Sequence, residues 1–225
     1  MNLDQVIGDL LPLALGVAIS PVPIIAVILM LLAPRAKVAS VAFGLGWLIG
    51  ISAVVTVVTL LVDPADDGDA GDPSTLSSVL KILLGAAAIL LAVRQWRSRP
   101  RGDDVPQLPG WMAAVDKMTG PRALALGAAL SALNPKNLTL CLAAGVTIGG
   151  GGLDGQDTVV ALVVFLALAA STVVLPVVAF LVAHDRVQGP LDGLRTWLTA
   201  NNATVMAVLL LVIGVALLGK GIGGL

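Results

Sequence analysis

The chain has 225 residues, of which 57% are hydrophobic and only 12% are charged, and its formal net charge is -1. A soluble domain carries about 25% charged residues, so this composition excludes an ordinary water-exposed surface. The mean hydropathy of +0.99 indicates a membrane protein, and we expect residues 1–225 to form a single membrane domain. The single cysteine, Cys141, excludes an intrachain disulfide and a cysteine-rich metal site.

Apolar stretches along the chain predict six membrane-spanning helices, each long enough to cross a hydrocarbon core about 30 Å thick. The predicted spans cover residues 8–33, 38–62, 76–95, 122–149, 156–182 and 202–222. The expected fold is therefore all-α and polytopic.

The connectors between these spans alternate in charge. The first, third and fifth connectors contain two, six and two of the thirteen Lys and Arg residues, whereas the second and fourth contain none. The second connector instead holds five aspartates between Asp63 and Pro73. Because basic loops stay in the cytoplasm, we expect both termini on the outer side of the inner (plasma) membrane.

The six predicted spans divide into two halves of three. Repeat one covers residues 1–97 and repeat two covers residues 120–225, with a basic cytoplasmic loop at 98–119 between them. Gly85 and Gly214 occupy central positions in the third and sixth spans. Because three is an odd number, the halves enter the membrane from opposite sides, which predicts an inverted-topology repeat.

Each half carries a proline motif inside its first span. These motifs are Ser20-Pro21-Val22-Pro23 and Asn134-Pro135-Lys136-Asn137. Proline lacks a backbone donor and clashes with the carbonyl four residues back, so each motif predicts a helix broken within the membrane. Interrupted helices at corresponding positions of two halves are typical of the binding sites of secondary transporters.

The expected substrate-binding residues lie in or beside the two motifs. They are Ser20, Pro21, Pro23, Ser131, Asn134, Pro135, Lys136 and Asn137. A charge such as that of Lys136 at mid-membrane costs at least ~2.5 kcal/mol, and helix N-termini attract anions, so the pattern favours an anionic guest such as phosphate, sulfate or carboxylate. The alternative is that the prolines only bend the helices for packing and that Lys136 extends to an interface.

Small residues in two other spans are expected beside the breaks. Gly44, Gly46 and Gly50 of the second span let helices approach closely. The alternative is that Gly46 and Gly50 give the first break room to move. Ser171 and Thr172 of the fifth span line the pathway, or bond only to carbonyls of their own helix.

The sequence contains no Ser/His/Asp set, no metal-ligand cluster and no phosphate loop, so we expect no enzyme, no metal and no cofactor. The basic third connector lacks interleaved aromatic residues. It is therefore expected to contact lipid head groups and not nucleic acid.

The two proline motifs, together with Pro34-Arg35 and Gly44-x-Gly46, resemble the lysine-exporter (LysE) superfamily. Within it, Ser-Pro-x-Pro and Asn-Pro-Lys-Asn-Leu are most similar to the actinobacterial GAP proteins, which are peptidoglycolipid- or sulfolipid-addressing proteins. The amino-acid exporters typically have Pro-Gly-Pro in the first span, and Ser20 and Val22 depart from that pattern. The resemblance implies export of an anionic or glycosylated cell-envelope lipid.

Two alternatives stay open at this point. One is an exporter of a small solute, either an amino acid or a cation. The other is a non-transporting accessory subunit that docks on a lipid synthesis or export machine through residues Arg94–Arg122. The expected partners are membrane lipids, the substrate, that machinery and a second copy in a homodimer.

Overall fold

The computed structural model describes residues 1–62, 75–99, 115 and 118–224. Its regular elements are α1 (Leu3–Ala18), α2 (Pro21–Leu32), α3 (Ala36–Leu61), α4 (Thr75–Arg97), α5 (Gly120–Ala132), α6 (Pro135–Gly149) and α7 (Gly155–Ile222). No strand is present in this part of the chain, so the expected all-helical class is confirmed for it. The acidic second connector and most of the basic loop at 98–119 lie outside the described residues.

Helix α7 contains one kink, at Ala183, where φ is -138° and ψ is 48°. The kink divides α7 into a first limb, Gly155–Ala183, and a second limb, Arg186–Ile222. The sequence predicted a connector from His184 to Thr199 before a separate last span. In the structure, residues Arg186–Ile222 form one continuous helix that includes Pro190, so no break separates this connector from the last span.

Four of the described helices are long and apolar enough to cross a membrane: α3, the Ser78–Arg97 part of α4, and the two limbs of α7. Helices α1 and α2 meet at an angle of 52° and together make a fifth candidate span. The predicted fourth span is divided into α5 and α6, of 13 and 15 residues, each too short to cross alone. The structure is therefore that of a multi-pass membrane protein.

The helices pack through small residues and a few large aromatic ones. Helix α3 packs on α5 and α6, α4 packs on α7, and α1 contacts both α6 and α7. Trp47 and Phe43 of α3 and Phe165 of α7 are completely buried. Gly85 and Gly214 face each other, since a Cβ added to either would lie 2.9 Å from the carbonyl oxygen of the other. This reciprocal contact brings the backbones of α4 and α7 together.

Both chain ends lie at the same end of the helix bundle. The amino group of Met1 donates to the carbonyl of Gly151 at 2.7 Å, and the Ser78 hydroxyl donates to the carbonyl of Gly224 at 2.8 Å. An ion pair between Asp9 and Lys220 joins α1 to the last turn of α7 at this end. The connector between α6 and α7 therefore lies beside the N-terminus, and the start of α4 lies beside the C-terminus.

A cavity lies beside the turn between α2 and α3 and is lined in part by basic side chains of that turn. Arg35 and Lys37 line a cavity of about 670 Å³ together with Phe180, Leu181 and Gln188 from the region of the kink in α7. We call this the turn cavity. Residues of the turn between α2 and α3 therefore lie beside residues near the kink in α7.

Candidate functional site

The first helix break lies between Ala18, where α1 ends, and Pro21, where α2 begins. Ser20 occupies the N-cap position of α2, yet its side chain makes no capping bond to that helix. Its hydroxyl instead lies 2.7 Å from the carbonyl of Val17 and 2.9 Å from Oδ1 of Asn137. A hydroxyl has one proton, so Ser20 donates to one of these acceptors at a time.

The second helix break lies between Ala132, where α5 ends, and Pro135, where α6 begins. Asn134 caps α6, because its Oδ1 accepts from the backbone N–H of Lys136 at 3.1 Å. Asn137 donates through Nδ2 to the carbonyl of Leu130 at 3.2 Å, seven residues back in α5. Since its Oδ1 faces Ser20, Asn137 contacts both breaks.

Lys136 joins the second break to the first. Its Nζ donates to the carbonyl of Ile19 at 3.0 Å and to Oγ of Ser20 at 2.6 Å. The side chain is 3% exposed. The last carbonyls of α1 carry partial negative charge, so this position stabilises the lysine ammonium.

The backbone carbonyls at the end of α1 accept hydrogen bonds from three side chains. Thr172 of α7 donates to the carbonyl of Ala18 at 2.5 Å, beside the bonds from Ser20 to Val17 and from Lys136 to Ile19. A helix end inside a membrane has no water to bond its free carbonyls, so these donors allow the break to be buried. We call Ser20, Lys136, Asn137 and Thr172 the break network.

The prolines of the site start helices. Pro21 and Pro135 are the first residues of α2 and α6, where the missing N–H has no partner to lose, and Pro23 follows in the first turn of α2. Their role in the geometry is to fix where each helix restarts. That restart places the side chains of Ser20 and Lys136 between the two halves of the chain.

Two of the predicted serines stay outside the break network. The hydroxyl of Ser131 donates to the carbonyl of Ala128 at 3.0 Å, and that of Ser171 donates to the carbonyl of Leu168 at 2.7 Å. Both bonds are local to one helix, which is the ordinary behaviour of serine in apolar helices.

The three glycines predicted at helix contacts of α3 behave differently from one another. A Cβ added at Gly46 would collide with the backbone of Leu124, and one added at Gly50 would collide with Oγ of Ser131. A Cβ added at Gly44 would meet nothing within 4 Å. The expectation of close packing is therefore wrong for Gly44. Residues four apart share a helix face, and Gly44, two residues from Gly46, points elsewhere.

A cavity of about 300 Å³ opens beside the second break. Its lining comes from the end of α4, the start of α6 and the second limb of α7: Leu91, Arg94, Gln95, Asn134, Pro135, Lys136, Met206 and Leu210. We call this the break cavity. The sequence did not single out Arg94 as a site residue, because it is one of six basic residues in or beside the third connector and only the packing of α4 selects it.

Among the described residues, no group of three or more His, Cys, Asp or Glu side chains could hold a metal ion. The polar centre therefore consists of an ammonium, amides, hydroxyls and backbone carbonyls. Groups of these kinds can bind a ligand by hydrogen bonds and charge.

Long apolar helices and two helix breaks joined by a buried polar network define a multi-pass helical membrane protein with a polar centre. A family profile described as Sap, sulfolipid-1-addressing protein, matches residues 10–223. The chain belongs to this sulfolipid-1-addressing protein family. Comparisons with curated proteins and with solved structures gave no match.

Proposed function

We propose that the protein is a transporter that exports an anionic or glycosylated cell-envelope lipid across the membrane. The observation that carries the proposal is the break network, in which the Lys136 ammonium joins both helix breaks while almost completely buried. The substrate-binding residues are those predicted in and beside the motifs, with Lys136 as the cation that attracts the head group.

The charge of the network supports an anionic substrate. Among the described residues, Lys136 makes no ion pair, and its bonds to Ile19 and Ser20 use two of its three N–H donors. The third donor is available to an incoming sulfate, phosphate or carboxylate group. Because a buried ammonium favours an opposite charge, binding of an anion would relieve the cost of burying Lys136.

The family to which the chain belongs supports a lipid as the substrate. Its description names sulfolipid-1, and a sulfated lipid carries the kind of anionic head group that the network suits. A lipid exporter moves such a head group through the polar centre while the tails remain in hydrocarbon. We therefore propose a sulfated or otherwise anionic glycolipid as the substrate class.

Alternating access around the two breaks is the mechanism that we propose. The reciprocal contact of Gly85 with Gly214 is what two inverted repeats would produce, because an element near a pseudo-two-fold axis contacts its own counterpart. A similar pair of hydrogen bonds fits the same symmetry. The carbonyl of Val17 precedes the first break and that of Leu130 precedes the second, and each accepts a hydrogen bond from a side chain. We extend the proposal to six spans with both termini outside and to membership of the lysine-exporter superfamily.

The two ends of the bundle differ in the way that alternating access requires. The ion pair of Asp9 with Lys220 joins α1 to α7 at the end that holds the termini, while the break cavity is lined by Arg94 near the opposite end of α4. In the proposed cycle this arrangement is the inward-open state. The outward-open state requires the Asp9–Lys220 pair to separate.

Export of a small solute is the second candidate. The break cavity, at about 300 Å³, lies at the lower end of the range for small-molecule sites. An amino acid would place its carboxylate at Lys136. A cation is favoured less, because the carbonyls at the end of α1 already accept bonds from side chains.

A reconstitution assay tests these proposals. Purified protein is placed in sealed vesicles that contain a sulfated glycolipid with a fluorescent head group, and a membrane-impermeant quencher reports how fast head groups cross the bilayer. We expect rapid crossing with the natural protein and none with Lys136→Ala. Uptake of amino acids without movement of lipid would favour the small-solute exporter over the lipid exporter. If neither amino acids nor lipid moved, the protein would be an accessory subunit.

A further inference from the structure

The two helix breaks differ in how far they are exposed. Ser20 is 2% exposed and Pro21 is buried, so the first break is enclosed by protein. At the second break, Leu133 is 74% exposed and Pro135 is exposed as well. The second break therefore reaches the protein surface, where a large exposed apolar side chain offers a contact for lipid.

The break cavity has both polar and apolar lining residues. Arg94, Gln95, Asn134 and Lys136 supply basic and amide groups. Leu91, Met206 and Leu210 make up its apolar wall, and Leu210 also belongs to a buried apolar cluster with Ala88 and Ala92. A cavity lined by both kinds of group suits an amphiphile.

The described lining of the cavity is basic. Among the described residues that line it, Arg94 and Lys136 are basic and none is acidic. No ion pair of Arg94 with an acidic side chain is found in the described part of the chain. The planar guanidinium binds sulfate, phosphate or carboxylate through two parallel N–H bonds, whereas a lysine acts as a point charge.

The volume limits what the cavity holds. A space of about 300 Å³ accommodates an anionic group and part of a sugar, not a whole glycolipid. The acyl chains must then stay outside, against exposed apolar side chains such as Leu133 and Leu90. This division matches the path that a lipid takes, with its head group in protein and its tails in hydrocarbon.

We propose that the break cavity is a lateral head-group site, in which an anionic lipid enters from the bilayer and its head group binds Arg94 before it reaches Lys136. The lipid nature of the ligand rests on the proposed function, while the location of the site rests on the cavity itself. Arg94 is then a substrate-binding residue, and the apolar wall selects ligands that carry a hydrophobic tail.

Binding to the full-length protein in detergent micelles tests the site without any need for transport. The probe is a sulfated glycolipid with a fluorescent acyl chain, titrated against the natural protein and its variants. We expect Arg94→Gln to weaken binding by about 10-fold to 100-fold, since a hydrogen-bonded charge pair is lost, and Arg94→Lys to lose less. Met206→Trp fills the cavity without changing its charge and should weaken binding as well.

Arg35→Gln is the matched control, because Arg35 lines the separate turn cavity. It should change the affinity less than twofold. Affinities of Arg94→Gln or Met206→Trp equal to that of the natural protein would overturn the proposed site, even if the vesicle assay shows lipid transfer. Arg94-dependent binding without transfer would uphold the site and overturn the transporter proposal.

Competition separates a lipid from a soluble anion with the same chemistry. Inorganic sulfate lacks the hydrophobic tail, so it should displace the fluorescent lipid only at concentrations far above those of an unlabelled sulfated lipid. Displacement by inorganic sulfate at concentrations as low as those of the lipid would overturn lateral lipid entry, because the apolar wall would then contribute nothing.

Discussion

Nζ of Lys136 lies 2.6 Å from Oγ of Ser20, although the two residues are 116 positions apart in the chain. This hydrogen bond ties the break between α5 and α6 to the break between α1 and α2. If one break moves relative to the other, this hydrogen bond must lengthen or be replaced by another. The contact is therefore the point at which a substrate that binds Lys136 would alter the relation between the two halves of the chain.

Lys136→Ala should abolish lipid transfer, because it removes the buried cation and leaves the carbonyl of Ile19 without its donor. The second effect costs about 1–3 kcal/mol, so the melting temperature should fall as well. Lys136→Arg should retain part of the activity. The measurement is lipid transfer in vesicles together with thermal unfolding in detergent.

Lys37→Ala serves as the control for Lys136, because Lys37 is an exposed lysine that lines the turn cavity. It should leave both transfer and melting temperature close to those of the natural protein. Normal transfer by Lys136→Ala would refute the electropositive site and favour a lysine that only extends to an interface.

Asn137→Ala should destabilise the protein, because one side chain bonds both Leu130 and Ser20 across the two breaks. Loss of buried hydrogen bonds of this kind costs about 1–3 kcal/mol. Asn201→Ala is the matched change, since Asn201 bonds only to the carbonyl of Trp197 in its own helix. Thermal unfolding of both variants in the same detergent should show a lower melting temperature for Asn137→Ala alone. Equal decreases in the melting temperatures of the two variants would contradict the bridging role of Asn137.

Gly46→Ala should disrupt the packing of α3 on α5, because the new Cβ has no room beside the backbone of Leu124. Gly44→Ala, two residues away in the same helix, meets open space and should be neutral or stabilising by up to about 1 kcal/mol, since alanine favours a helix. Size-exclusion profiles and melting temperatures distinguish the two variants. If Gly46→Ala were as stable as Gly44→Ala, the close approach of α3 and α5 would be refuted.

The proposed orientation is tested by single cysteines labelled in intact cells with a membrane-impermeant thiol reagent. Cysteines at Asp67 and Gly151 should label from outside, and a cysteine at Gly102 should label only after the cells are opened. The native Cys141 is completely buried and provides little background. Labelling of Gly102 from outside would overturn both the orientation and the inverted repeat.

The membrane class, the positions of the two helix breaks and the residues around them can all be predicted from the sequence. Apolar runs give the helices, and proline fixes where α2 and α6 start, since both effects depend only on neighbours along the chain. The family profile over residues 10–223 agrees with that local information. The sequence did not show that the fifth connector and the last span form one continuous helix after the kink at Ala183.

Only the tertiary structure decided which polar groups meet. Ser131 and Ser171 bond within their own helices, whereas Thr172 crosses to the end of α1, although the sequence treats Ser171 and Thr172 alike. Arg94 lines the break cavity only because α4 packs beside the start of α6. The physical reason is that hydrogen bonds and cavities depend on distances between residues far apart in the chain, which helix orientation sets and local sequence does not.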